Sequence, residues 1–165
     1  MNYSIIKKYD ISNGSFIRTS VFFTGCHGFG GKHCAGCFNS ELWNFNSGKL
    51  FDEAAKNTLF EYMSDEHVKG LSVLGGEPLQ QGNELTILLK EVKEKFPNKT
   101  IWLWTGYYLD ELNDEQKETI SYCDYVVDGR FIEEKSGINI KFRGSTNQTI
   151  WEKDENNNWV KSSLN

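Results

Sequence analysis

Three cysteines carry the chemistry that this sequence offers. Cys26, Cys34 and Cys37 stand in the stretch "GCHGFGGKHCAGCFN" (25–39), separated by seven residues and then by two, with His27 and His33 between the first pair. Thiolates at such spacing suit a soft metal, so the occupants to weigh are a zinc ion and an iron-sulfur cluster. Structural zinc wants four protein ligands in a closed tetrahedron, which would recruit His27, His33 or the distant Cys123. A four-iron cluster on three thiolates leaves one iron without a protein ligand, and an open position of that kind is where a substrate or cofactor binds. Three unrelated buried thiols explain the segment poorly, because five glycines between Gly25 and Gly36 leave it little apolar surface to bury. His27 and His33 read as loop residues able to hydrogen-bond to cluster sulfides. His67 reads as surface and Cys123, in "SYCDYVV", as a small core residue.

These groups need elements to position them. Apolar runs alternate with amphipathic stretches, the pattern of βα units along a parallel sheet. "FIRTSVFF" (16–23), "GLSVLG" (70–75), "TIWLW" (100–104) and "YVVDG" (125–129) read as strands. Between them, Asp52 caps a helix with Ala55, Leu59 and Met63 on one face, Asn83 caps a second that stops before Pro97, and a third runs over 110–121. The ending forms a hairpin at about 148–162, with Asp154 to Asn158 as its turn. The cysteine loop, Gly75-Gly76-Glu77-Pro78, Thr105-Gly106-Tyr107 and Asp128-Gly129-Arg130 each follow a strand. In a parallel sheet all four gather at the C-terminal edge, where such folds build sites.

Composition bounds the rest. At 165 residues the chain reads as one domain over 1–165. A net charge of -5 with no basic stripe argues against nucleic acid. No apolar run reaches the length of about 18 residues that a membrane span needs, and "MNYSIIKKYDISNG" lacks signal-peptide features, so a cytoplasmic location is expected. In that reducing compartment clustered cysteines read as ligands rather than disulfides.

Three cysteines after a first strand and "GGEP" after the next resemble the radical S-adenosylmethionine enzymes. Within them the chain is most similar to the activating proteins of anaerobic ribonucleotide reductase, from "KKYDISNG" through "CAGCFNSELWNFNSG", "LSVLGGEPL", "IWLWTGYYLDEL" and "YVVDGRF" to "FRGSTNQ". The resemblance implies an α/β fold, an incomplete βα barrel of parallel strands with helices outside. Its openness also follows from length, since a full eight-unit barrel takes roughly 200 residues or more. It implies that Cys26, Cys34 and Cys37 hold one 4Fe-4S cluster and that S-adenosylmethionine chelates the fourth iron. Gly36, Cys37 and Phe38 would line the cofactor site, while Gly75, Gly76 and Glu77 meet the methionyl ammonium, glycines allowing close approach and the carboxylate matching the charge. Reductive cleavage would yield a 5′-deoxyadenosyl radical that takes hydrogen from a glycine of the reductase large subunit. The implied partners are that subunit and an external one-electron donor such as a flavodoxin or ferredoxin.

Two features depart from the family. Its cysteines usually follow "CxxxCxxC", whereas "HGFGGKH" here separates Cys26 from Cys34. Four extra glycine-rich residues can loop out without moving the thiols, at a cost of tenths of a kcal/mol to about one. "SNGSFIR" stands where the family tends to show "NGPGIR". The spacing keeps a small-molecule enzyme resembling 7-carboxy-7-deazaguanine synthase in play, and a zinc-stabilised binding module is the noncatalytic alternative. Thr105 and Arg143 are further candidates for cofactor contact. Replacing Cys26, Cys34 or Cys37 by alanine is expected to abolish cluster-dependent cleavage of S-adenosylmethionine, with Cys123→Ala nearly neutral, as read by anaerobic assay of 5′-deoxyadenosine; full activity in all three cluster variants contradicts the assignment.

Overall fold

Residues 1–165 are described by a computed structural model. Its strands are β1 (Asn2–Asp10), β2 (Arg18–Thr24), β3 (Lys49–Leu50), β4 (Gly70–Gly75), β5 (Thr100–Trp104), β6 (Tyr125–Asp128), β7 (Thr149–Lys153) and β8 (Trp159–Lys161). Its helices are α1 (Glu53–Met63), α2 (Asn83–Lys95) and α3 (Asp114–Ser121). The strands form one sheet in the order β3-β1-β2-β4-β5-β6-β7-β8. Only the central four, β2, β4, β5 and β6, run parallel. The flanking pairs are antiparallel, so the expected parallel strands are confined to the centre of a mixed sheet. β3 and β8 remain as free edges, so the sheet does not close.

The parallel order follows the chain without reversal, as successive βα crossovers of one hand produce. Period-two alternation then gives the sheet two faces. Val21 and Phe23, Leu71 and Val73, and Ile101 and Leu103 join Leu59, Met63, Leu85, Leu89 and Ile120 of the helices in the main core. The other face carries Ser20, Ser72, Trp102 and Tyr125 paired in one row, and beyond it the pairs Phe22–Leu74 and Trp104–Val127. Trp102 and Trp104 stack at 5.5 Å and pack this face.

The lower end of this face is sealed by Arg18, which has no exposed surface. Its Nε donates to Ser72 Oγ at 2.8 Å and its Nη2 to Leu71 O and Thr100 O at 2.8 and 2.7 Å. Its Nη1 donates to Thr100 Oγ1 at 3.0 Å. No carboxylate pairs with it; burial lowers its pKa to about 10, so it stays charged at neutral pH.

Local signals explain the remaining differences. Asp52 Oδ1 accepts from Ala55 N at 2.9 Å and caps α1 as expected. Asn83 does not cap α2; it is the first helical residue, after Gly82 at φ +70°. The helix expected over 110–121 divides into a 3₁₀ turn at Leu109–Glu111 and α3. Asn113 and Gln116 exchange bonds of 2.9 and 3.1 Å in a capping box that restarts the helix. β1 is an added strand: its mixed, partly exposed residues carry no apolar run, and pairing with β2 decides it. The C-terminal hairpin forms as β7 and β8. Arg18→Lys is expected to cost roughly 3 kcal/mol, because one ammonium cannot serve these acceptors. A urea unfolding midpoint equal to wild type would contradict that.

Candidate active site

The parallel strands all end at the same edge, and the four loops after them enclose a cavity of about 410 Å³. Cys26, Cys34 and Cys37 line one wall, while Phe22, Leu74 and Trp104 continue the inner face of the sheet as its floor. Gly75, Gly76, Glu77, Thr105 and Gly106 line the cavity from β4 and β5, and Gly129 and Phe131 from β6. The four strand-end motifs therefore converge as the sequence indicates. Arg143 and Gln148 also line it, and Arg143 Nε is buried without a hydrogen-bond partner.

The Gly-Gly-Glu segment is threaded through crowded backbone. At Gly75, φ is +130° and a Cβ would lie 1.9 Å from Phe23 O; at Gly76 it would lie 2.4 Å from Gly25 O. Glu77 N donates to Gly25 O at 2.8 Å, tying the start of the cysteine loop to β4. Asn39 Nδ2 donates to Gly75 O at 3.1 Å and ties its far end. Phe38 is 69% exposed, with its ring 4.7 Å from Phe131 at the cavity mouth. Gly36 is not among the lining residues; at φ +64° it turns the loop, and a Cβ there would meet the Glu133 carboxyl at 2.4 Å.

Glu77 is 2% exposed and has no ion-pair partner. Its Oε1 accepts from Thr105 Oγ1 at 2.7 Å and Leu79 N at 3.0 Å, and its Oε2 from Gly106 N at 2.8 Å. Burial pushes its pKa up to about 7, against the opposing pull of these bonds. Thr105 thus acts on Glu77. Burial also pushes the Cys26 thiol up to about 11 and raises Cys34, although backbone N–H groups of Gly28 and Phe131 pull the other way. Thiols so placed need a bound cation to become thiolates. No three Cys, His, Asp or Glu groups close on one point as a single metal ion requires. A cluster, whose thiolates bind separate irons, fits three thiols on one cavity wall better than mononuclear zinc.

The histidines are engaged elsewhere. His27 stacks on Phe45 at 4.3 Å and His33 on Trp43 at 3.9 Å, with His33 Nε2 2.7 Å from Cys26 O. Cys123 is buried in the main core, and burial raises its pKa to about 12. The insertion does not loop out as expected: Phe29 and Lys32 pair across Gly30-Gly31, and Phe29 lines the cavity. Sequence reasoning missed Asn39, Phe29 and Phe131. Only a place near Cys37, within the insertion or just after Asp128-Gly129-Arg130 marks them in the sequence.

The chain matches known proteins over most of its length. Residues 12–151 match the family model described as a 4Fe-4S single cluster domain. The anaerobic ribonucleoside-triphosphate reductase-activating protein of Haemophilus influenzae is 39% identical over 154 residues, covering 91% of this chain and 97% of that protein. The proteins of the same name from Escherichia coli K12 and Enterobacteria phage T4 are 35% and 37% identical, over 91% and 92% of this chain and 97% and 94% of theirs.

Unfolded, Glu77 ionises near 4.5; folded, it keeps its proton to about 7. The native state binds more protons in that window, so the stability from this group is full at low pH and falls as pH rises from about 4.5 to about 7. Melting temperatures of the cluster-free chain should show wild type losing ground to Glu77→Gln across this range. A difference independent of pH would contradict the assignment.

Proposed function

The chain belongs to the family of anaerobic ribonucleoside-triphosphate reductase-activating proteins, and we propose that it installs a glycyl radical on the large subunit of that reductase. Convergence of three thiols and a Gly-Gly-Glu strand end on one open cavity is the observation that supports this reading. The cysteines would hold a 4Fe-4S cluster by three of its irons, and the open sheet would be a partial barrel of the radical S-adenosylmethionine type. When bound, the cluster and S-adenosylmethionine supply the reductive S–C5′ cleavage whose 5′-deoxyadenosyl radical takes a hydrogen atom from the partner's glycine.

The chain's own residues place and enclose these groups. Cys26, Cys34 and Cys37 would hold the irons as thiolates, and burial, which raises Cys26 and Cys34, makes the charge of the irons the counterweight at those two. Gly75 and Gly76 let backbone approach the amino-acid end of the cofactor. Oε2 of Glu77 accepts one bond where Oε1 accepts two, which leaves acceptor capacity for an ammonium. Phe38 and Phe131 form an apolar lip beside the thiols, where the ring of an adenosyl group can pack. No general base is required. The electron comes from an external one-electron donor such as a flavodoxin or ferredoxin. No helix is long and apolar enough to cross a membrane.

The test is anaerobic incubation of the cluster-loaded chain with reductant, S-adenosylmethionine and the matching reductase large subunit, read by electron paramagnetic resonance. A glycyl-radical doublet is expected. Cofactor cleavage with no such signal would redirect the assignment to a small-molecule substrate.

A further inference from the structure

The insertion that separates Cys26 from Cys34 is a built element. Gly30 and Gly31 have φ of +60° and +77°, the handedness that a two-residue turn demands at both central positions. Phe29 N donates to Lys32 O at 2.8 Å and Lys32 N to Phe29 O at 3.3 Å. The stem is gripped from β4's side by Gln80: its Oε1 accepts from His27 N at 2.6 Å, and its Nε2 donates to Gly28 O at 3.2 Å and to Tyr107 Oη at 2.9 Å. Gly28 N in turn donates to Cys26 Sγ at 3.3 Å.

The tip is seated by a side chain. A Cβ on Gly106 would lie 2.2 Å from the Phe29 ring, so the ring rests directly on the glycine whose N–H holds Glu77. Tyr107 meets the ring edge-on at 4.9 Å. The Arg130 guanidinium lies 4.8 Å from the Phe29 ring and 5.1 Å from the Tyr108 ring, and pairs with Glu111. Phe29 is thus fixed on three sides, and a further part of its surface lines the cavity that holds the thiols.

We propose that this hairpin is a fixed wall of the cluster site, in which Phe29 is a positioning residue that closes the gap over Gly106 and keeps water and solutes from the cluster. The proposal rests on the cluster reading above. It gives the four extra residues a task that a looped-out segment would not have: the apolar shell around a metal site controls solvent access to it.

The test is the rate at which EDTA bleaches the visible absorption of the reconstituted cluster under anaerobic conditions. Phe29→Ala should bleach roughly tenfold faster or more. Gly106→Ala, which displaces the ring while leaving it in the chain, should shift the rate in the same direction. Phe29→Tyr, which keeps the ring, should restore slow bleaching, and Lys32→Ala, in the exposed turn, should leave the rate unchanged; together these separate loss of the wall from loss of the hairpin. A cluster that bleaches at the wild-type rate in both Phe29→Ala and Gly106→Ala overturns the proposal alone. A wild-type chain that assembles no cluster sinks the cluster reading and this proposal together.

Discussion

A buried carboxylate with no cation against it organises the upper end of the sheet. Glu77 can stay there only because Thr105, Gly106 and Leu79 each turn a donor towards it, since an unpaired buried charge costs several kcal/mol. That requirement joins the end of β4 to the end of β5. The backbone bond from Glu77 to Gly25 joins β4 to the cysteine loop, and Phe29 lies over Gly106. The thiol wall, the glycine strand end and the insertion are therefore referenced to one residue, through its side chain and its backbone.

The lower end uses the opposite charge under the same rule. Arg18 is satisfied by hydroxyls and carbonyls of β4 and β5 rather than by an acid. A charge held by several directional bonds tolerates little sliding between strands, because any shift of register would leave both it and its partners unpaired. The stacked tryptophans between the two ends add apolar area and no such directionality. Rigid ends on a sheet with free edges suit a site that must fix a cofactor and remain open to a macromolecule.

Much of this was legible in the residues. Short apolar runs located β2, β4, β5 and β6 closely, because the central strands of a covered parallel sheet are rich in apolar residues. Asp52 marked the start of α1, since a carboxylate there accepts an orphan N–H. The same logic misplaced the start of α2, where Gly82 in a left-handed conformation turns the chain and Asn83 enters the helix. β1 escaped because its residues are not apolar enough to announce a strand; it exists through its partner. The insertion escaped for a related reason: Gly30-Gly31 is a sound hairpin signal, but nothing local says that Phe29 will find Gly106.

The sequence by itself determined which chemical groups are available, three thiols, a glycine pair and a carboxylate, and their order after successive strands dictates one edge in a parallel sheet. Only the tertiary structure decided how those groups are held. The antiparallel flanks, the inward turn of Glu77, the stacking of His27 and His33 on Phe45 and Trp43, and the seating of Phe29 all depend on contacts between residues distant along the chain. Such contacts form only where packing brings complementary shapes and donors together, and no local pattern records that.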